Sequence, residues 1–222
     1  MKLFVPEIQS KLRKRMIRVP EIINTVGGIN IFGRLIKSLL FSTDVALIKN
    51  CNADAVIAVY PFTPQPVITQ AIINVSSVPV FCGVGGGTTT GHRVVDIAIH
   101  AEHQGAMGVV VNAPTKNELI KELAQKIDIP IIVTIVSESD DITARLQAGT
   151  AILNVSGASK TPLIVKQIRQ AYPEIPIIAT GGPCEESIAR TIAAGANAIT
   201  YTPPTSAEIF KGVMQNYRNQ ID

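Results

Sequence analysis

Three short stretches hold residues able to do chemistry. The longest is Gly83-Val84-Gly85-Gly86-Gly87-Thr88-Thr89-Thr90-Gly91-His92-Arg93. It lacks the Gly-Lys-Ser/Thr ending of a Walker A loop and the GxGxxG spacing ahead of a helix. Gly85, Gly86 and Gly87 suit a backbone-lined pocket or a flap closing over a site. The plainer alternative is a flexible connector, but a segment so dense in glycine costs conformational entropy to order, which favours a functional reason. The second stretch is Gly181-Gly182-Pro183, and the third is Ser156-Gly157-Ala158-Ser159-Lys160. For proton transfer the chain offers Asp44, Glu138 and His92, and Lys160 is the nearest reactive amine. Each has a structural alternative: Asp44 as a helix cap, Glu138 as a solvated carboxylate, Lys160 as a surface lysine at a helix start.

Other nucleophiles and metal ligands are sparse. His100 and His103 lie one helical turn apart, on a segment expected to face outward, so no metal site is expected. Cys82 closes an apolar run and reads as a packed thiol rather than a nucleophile. The three cysteines form no CxxC pair, which fits reduced thiols better than a disulfide framework.

Elements able to position these residues recur along the chain. Apolar runs rich in Val and Ile fall at Ser38–Ser42, Ala55–Tyr60, Pro79–Cys82, Gly108–Asn112, Ile131–Val136, Ala151–Ser156, Ile177–Thr180 and Ala198–Tyr201. Between them Val94–Ala101, Leu119–Ile127, Leu163–Ile168 and Ile188–Ala193 carry apolar residues at helical spacing. Eight strands alternating with helices predict an α/β fold, a (β/α)8 TIM barrel over 38–222, with residues 1–37 as an N-terminal helical extension. A doubly wound open sheet is the alternative. A weak repeat favours closure: Pro79, Pro130 and Pro176 each introduce every second run, so two βα modules form the repeating unit. Glu7–Met16 is expected to be helical, and 1–37 to plug the barrel bottom or form an oligomer arm.

In a barrel the residues after each strand share one rim, the C-terminal face. Asp44, Thr63, the glycine run, Arg93, Asn112, Lys116, Glu138, Ser156, Lys160, Gly181, Gly182, Thr202, Thr205 and Ser206 all fall there. Capping accounts for many of the Ser and Thr residues; Thr115 with Glu118 and Thr205 with Glu208 fit capping boxes. Helix N-termini pointing at this rim carry partial positive charge and free N–H donors, so a small anionic ligand is expected.

Composition bounds the alternatives. The 222 residues are 46% hydrophobic and 17% charged, with a formal net charge of +3. Residues 1–37 hold eight Lys/Arg against two Asp/Glu, and the rest twelve against fifteen. The basic cluster Lys11, Arg13, Lys14, Arg15 and Arg18 reads as a solvated face or an oligomer contact; without interleaved aromatics, nucleic acid is not the expected partner. No apolar run reaches membrane-span length and no signal-like segment opens the chain, so a cytoplasmic, homo-oligomeric protein is expected.

Residues 175–204, Ile-Pro-Ile-Ile-Ala-Thr-Gly-Gly-Pro followed by Ser-Ile-Ala-Arg-Thr-Ile-Ala-Ala-Gly-Ala-Asn-Ala-Ile-Thr-Tyr-Thr, resemble the last quarter of the phosphate-binding TIM barrels. That group includes the IMP dehydrogenase-like, thiazole synthase-like and keto-deoxy-phosphogluconate aldolase-like enzymes. The resemblance implies a phosphate held by the backbone of Gly181 and Gly182 and by Thr202 and Thr205. The chain departs from the pattern at Pro203-Pro204, which remove two N–H donors, and no strand carries the inward Schiff-base lysine of class I aldolases. The function implied is an aldolase, lyase or isomerase acting on a small phosphorylated metabolite, with Lys160, Asp44 and His92 reactive and no cofactor. The alternatives are a non-catalytic ligand-sensing barrel and a hydrolase or flavin-dependent enzyme, whose FMN phosphate would take the same rim.

Overall fold

The computed structural model describes residues 6, 8, 10 and 16–219. Ten strands and eight α-helices are found among them. A short hairpin comes first, β1 (Ile29–Ile31) and β2 (Arg34–Ile36). The remaining strands are β3 (Ser38–Phe41), β4 (Ala55–Ala58), β5 (Val80–Gly85), β6 (Gly108–Val111), β7 (Ile131–Ile135), β8 (Ile152–Val155), β9 (Ile177–Thr180) and β10 (Ala198–Tyr201). They pair in parallel in the order β10-β3-β4-β5-β6-β7-β8-β9 and close on themselves. The helices are α1 (Val45–Lys49), α2 (Pro66–Val75), α3 (His92–His103), α4 (Asn117–Ala124), α5 (Ile142–Gln147), α6 (Thr161–Ala171), α7 (Glu185–Ala193) and α8 (Ser206–Arg218), one after each barrel strand. This is the (β/α)8 barrel, and the open sheet is ruled out. No helix among the described residues is long and apolar enough to cross a membrane.

The strands read almost as their apolar runs predict, with one correction. The third run, expected to end at Cys82, continues as β5 to Gly85, because Gly83 and Gly85 still pair with Val110 and Val111 across a bulge. Two cores follow from the period-2 alternation of buried strands. One lies between strands and helices. The other fills the barrel: Leu39, Ile57, Phe81, Val110, Ile132, Ile152, Ile178 and Ala198 pack with Ile29, Ile31 and Ile36 of the hairpin. The hairpin therefore plugs the N-terminal end. Its two-residue turn, Phe32-Gly33, has positive φ at both positions (48° and 80°), the geometry that matches strand twist. Residues 21–25 form a 3-10 turn rather than an α-helix. The helix expected over 7–16, and the basic cluster apart from Arg18, lie outside the described residues but for Ile8, Ser10 and Met16.

The closed end is held by polar clamps. Asp54 Oδ2 accepts from the N–H groups of Lys37 and Ser38 and from the Ser38 hydroxyl, each at 2.9 Å. Arg169 donates to the carbonyls of Gly195, Pro173 and Ile175 and to Asn197 Oδ1. Charged hydrogen bonds contribute about 1.5–3 kcal/mol each, less where solvent reaches them. Arg169→Met is therefore expected to cost about 3 kcal/mol, a fall in Tm of roughly 6–12 °C for a chain of this size. A thermal melt reads it; a shift under 2 °C would show that Asn197 and the three carbonyls re-pair without the guanidinium.

Candidate functional site

Two residues beyond the apolar barrel layer, the alternation places another inward ring at the C-terminal mouth. It consists of Phe41, Val59, Gly83, Asn112, Thr134, Asn154, Thr180 and Thr200. Phe41, Val59 and Gly83 come from adjacent strands β3–β5, and the five amides and hydroxyls from β6–β10. None of these side chains ionises. Ser156, one step further along β8, accepts a hydrogen bond from the Thr180 hydroxyl at 3.2 Å.

Two atoms of this ring are left without a partner. Asn154 Oδ1 and Thr200 Oγ1 are fully buried and unbonded among the described residues. Asn154 Nδ2 reaches Thr134 Oγ1 at 3.4 Å. Exchanging the amide's oxygen and nitrogen would only move the orphan to the other end. A buried polar atom without a partner costs about 1–3 kcal/mol, so sites of this kind persist where a ligand or water completes them.

Two spaces open from the ring. A cavity of about 230 Å³ lies against Val59, Gly83, Val110 and Asn112, walled by Tyr60 and Phe62 and roofed by Gly85, Gly87, Thr88 and Thr89. An open cleft of about 820 Å³ runs between β9, β10 and the starts of α7 and α8, reaching Thr180 and Thr200. The glycine run is thus an ordered roof. Gly86 N–H donates to Thr89 O (2.8 Å), and Asn112 N–H donates to Gly85 O (3.0 Å). Thr115, expected to cap α4 with Glu118, instead donates its hydroxyl to Asn112 O at 2.7 Å, and α4 begins after Lys116 without a side-chain cap. Arg145 of α5 fixes this segment by donating to Thr115 O, to Asn117 Oδ1 at 2.8 Å and to Ala113 O at 2.7 Å.

The structure separates the residues singled out from sequence. Gly85, Gly87 and Asn112 meet in the cavity wall and Ser156 joins the polar ring. Gly181 does not offer its N–H, which donates to Thr200 O at 3.2 Å; its missing Cβ makes room for Ile188 and Ile199. Gly182 and Thr202 line the cleft. Thr205 is occupied by its capping box with Glu208, as the spacing predicts. Asp44 caps α1 through Ala46 and Leu47 and accepts from the Ser206 hydroxyl, a bond that, with the capping N–H groups, holds its pKa below the ordinary carboxylate value. His92, expected near the mouth, stands at the start of α3 between Glu122 (3.2 Å) and Asp96 (3.6 Å), with its side chain 74% exposed. Arg93 beside it is exposed. Lys160 pairs with Glu138 at 3.1 Å on the rim. The first turns of α7 and α8 carry Glu185, Glu186 and Glu208, so these helix dipoles already face carboxylates of the chain itself. Among the described residues no three His, Cys, Asp or Glu groups gather as metal ligands.

The sequence reading passed over Cys184, the N-cap of α7 in the cleft. A hydrogen bond from the Ser187 N–H, with the Ser187 hydroxyl beside the sulfur, lowers its pKa; burial raises that of Cys51 and pushes Cys82 up to about 12. At neutral pH one thiol, Cys184, should react rapidly with Ellman's reagent in the native protein, and all three in denaturant. Peptide mapping of the first product checks this; labelling at Cys82 ahead of Cys184 would contradict the packing.

No protein-family model and no curated protein matches the chain. Its fold does match solved structures. Oxaloacetate acetylhydrolase in complex with the product oxalate aligns at TM-score 0.64 and 10% identity, covering 83% of this chain and 81% of the other. Phosphonopyruvate hydrolase in complex with oxalate and Mg2+ aligns at 0.61 and 11%, covering 86% and 82%. The 2,3-dimethylmalate lyase, a member of the PEP mutase/isocitrate lyase superfamily, aligns at 0.61 and 14%, covering 95% and 85%. None of the three bears the name of the phosphate-binding families that residues 175–204 resemble. What the chain shares with them is the fold, a closed (β/α)8 TIM barrel.

Proposed function

We propose that the protein is an enzyme of the lyase or isomerase type acting on a small anionic metabolite at the C-terminal mouth of the barrel. The observation that carries this reading is the pair of buried, unpartnered oxygens, Asn154 Oδ1 and Thr200 Oγ1, in a ring of hydroxyls and amides at that end. The Thr200 hydroxyl can donate to a carbonyl or carboxylate of a ligand, and the Asn154 amide, turned so that its oxygen accepts from the Thr134 hydroxyl, can donate to the same group through its Nδ2. The similar barrels named for reactions of oxaloacetate, phosphonopyruvate and dimethylmalate support a carboxylate as the ligand's anionic group. It takes precedence over a phosphate at Gly181, Gly182, Thr202 and Thr205, because Gly181 and Thr205 are already engaged.

Lys160 and Glu138, paired at 3.1 Å in the segments that follow β8 and β7, are assigned the proton transfer in this reading. Asp44 and His92 leave the reactive set: one is spent on capping, the other sits outside the mouth. The Mg2+ seen with one similar barrel does not fit here. Protein-bound Mg2+ generally takes one or two carboxylates at near-octahedral geometry, whereas this mouth offers hydroxyls, amides and no carboxylate in the inward ring. Exchange of the proton next to the carbonyl of a 2-oxo acid in D2O, followed by NMR, tests the reading. Exchange above the buffer rate is expected, falling about a hundredfold or more in Lys160→Met. A rate equal to buffer across pyruvate, 2-oxobutyrate and oxaloacetate would overturn it.

A further inference from the structure

The inward ring is not only uncharged; it is divided. Phe41, Val59 and Gly83 occupy three adjacent strands, and the amides and hydroxyls of Asn112, Thr134, Asn154, Thr180 and Thr200 occupy the other five. In the closed order β5 stands opposite β9, so the apolar wall faces Thr180 and its polar neighbours across the mouth. The 230 Å³ cavity lies on the apolar side. Val59, Val110, Pro61, Phe62 and Pro64 supply its apolar lining, while Asn112, Tyr60 and the Thr88-Thr89 end of the glycine roof supply its polar lining. Phe62 is 72% exposed, an apolar ring kept at the entrance with solvent on one side.

A ligand held only by its polar groups would leave this half unused. Water occupies about 30 Å³ per molecule in the liquid, so the cavity has room for several waters or for a branched alkyl group. Against the Val59, Val110 and Phe62 side water finds few partners, which makes an alkyl group the better occupant of that side.

We propose that the site selects a substrate of two faces: a carbonyl and carboxylate end held by Asn154, Thr180 and Thr200, and an unbranched or branched alkyl substituent seated against Val59, Gly83 and Phe62 beneath the glycine roof. This rests on the reading of the mouth as a carboxylate site. Arg145 is part of the same device, because it anchors the 113–117 segment on which the roof is seated.

Calorimetric titration with oxalate, pyruvate, 2-oxobutyrate, 2-oxovalerate and 4-methyl-2-oxovalerate tests it. Each methylene that enters the cavity is expected to tighten binding about fourfold until the cavity is full. Val59→Thr, which keeps the shape and adds a hydroxyl, should flatten that slope, and Phe62→Ser should flatten it without touching the core. Oxalate binding with no gain along the series would overturn the two-faced substrate and leave the carboxylate reading intact. Binding of none of the five would overturn both.

Discussion

Thr200→Val and Asn154→Leu should each stabilise the protein, by about 1–2 kcal/mol, and deprive it of its ligand. Both replacements nearly keep the shape and remove a buried oxygen that has no partner in the fold. The desolvation cost of that oxygen disappears with it. For a chain of this length the gain is a rise in Tm of roughly 2–8 °C per substitution. Stability gained together with binding lost is the mark of a site held ready at the expense of the fold. Thr150 supplies the control. Its hydroxyl is also buried and unpartnered, but it lies just before β8, at the opposite end of the barrel. Thr150→Val should stabilise equally and leave oxalate binding unchanged. Thermal melts with calorimetry read all three. A fall in Tm for Thr200→Val and Asn154→Leu would mean that ordered water already satisfies those atoms.

Gly86→Ala should be strongly destabilising. Gly86 has φ of +95°, where an L side chain is strained. A Cβ there would run into the Thr115 hydroxyl and stand 2.9 Å from the Asn112 backbone nitrogen. Neither neighbour can yield cheaply, since the Thr115 hydroxyl is bonded to Asn112 O and the Asn112 N–H to Gly85 O. Strain of about 1–3 kcal/mol and overpacking of about 1–3 kcal/mol together make a loss of about 2–6 kcal/mol. Gly87→Ala, one residue on, adds a Cβ that meets only Asn112 Nδ2, at 3.4 Å. It should stay within about 0.5 kcal/mol of wild type, as surface substitutions do. Equal denaturant midpoints for the two variants would show that the glycine roof is a loose connector.

Much of this architecture is legible from residue order alone. Strands β9 and β10 begin and end where their apolar runs do, because Val and Ile bounded by Pro, Gly and Thr leave little choice. The third strand runs on to Gly85 because glycines carry no alternation to read; only their pairing with Val110 and Val111 reveals the strand. Helix caps divide the same way. Asp44 at α1 and Thr205 with Glu208 at α8 are local devices, complete within four residues. Thr115 fails as a cap because the Asn112 carbonyl takes its hydroxyl.

The candidate site is legible on its rim and hidden in its depth. Candidates chosen for reactivity, such as His92 and Asp44, proved to be paired or capping. The residues that define the mouth, Asn154, Thr180 and Thr200, sit inside apolar runs, where a single polar residue at an inward position was the signal. Arg145 left none, since its acceptors at Ala113, Thr115 and Asn117 lie about thirty residues away and two of the three are backbone carbonyls.

A crystal of the protein soaked in oxalate tests the mouth most directly. Density is expected inside the C-terminal ring, within hydrogen-bond distance of Asn154 and Thr200, and should vanish in the Thr200→Val, Asn154→Leu double variant. Oxalate at the hairpin end, or an empty ring at saturating oxalate, would contradict the assignment of this mouth as the site.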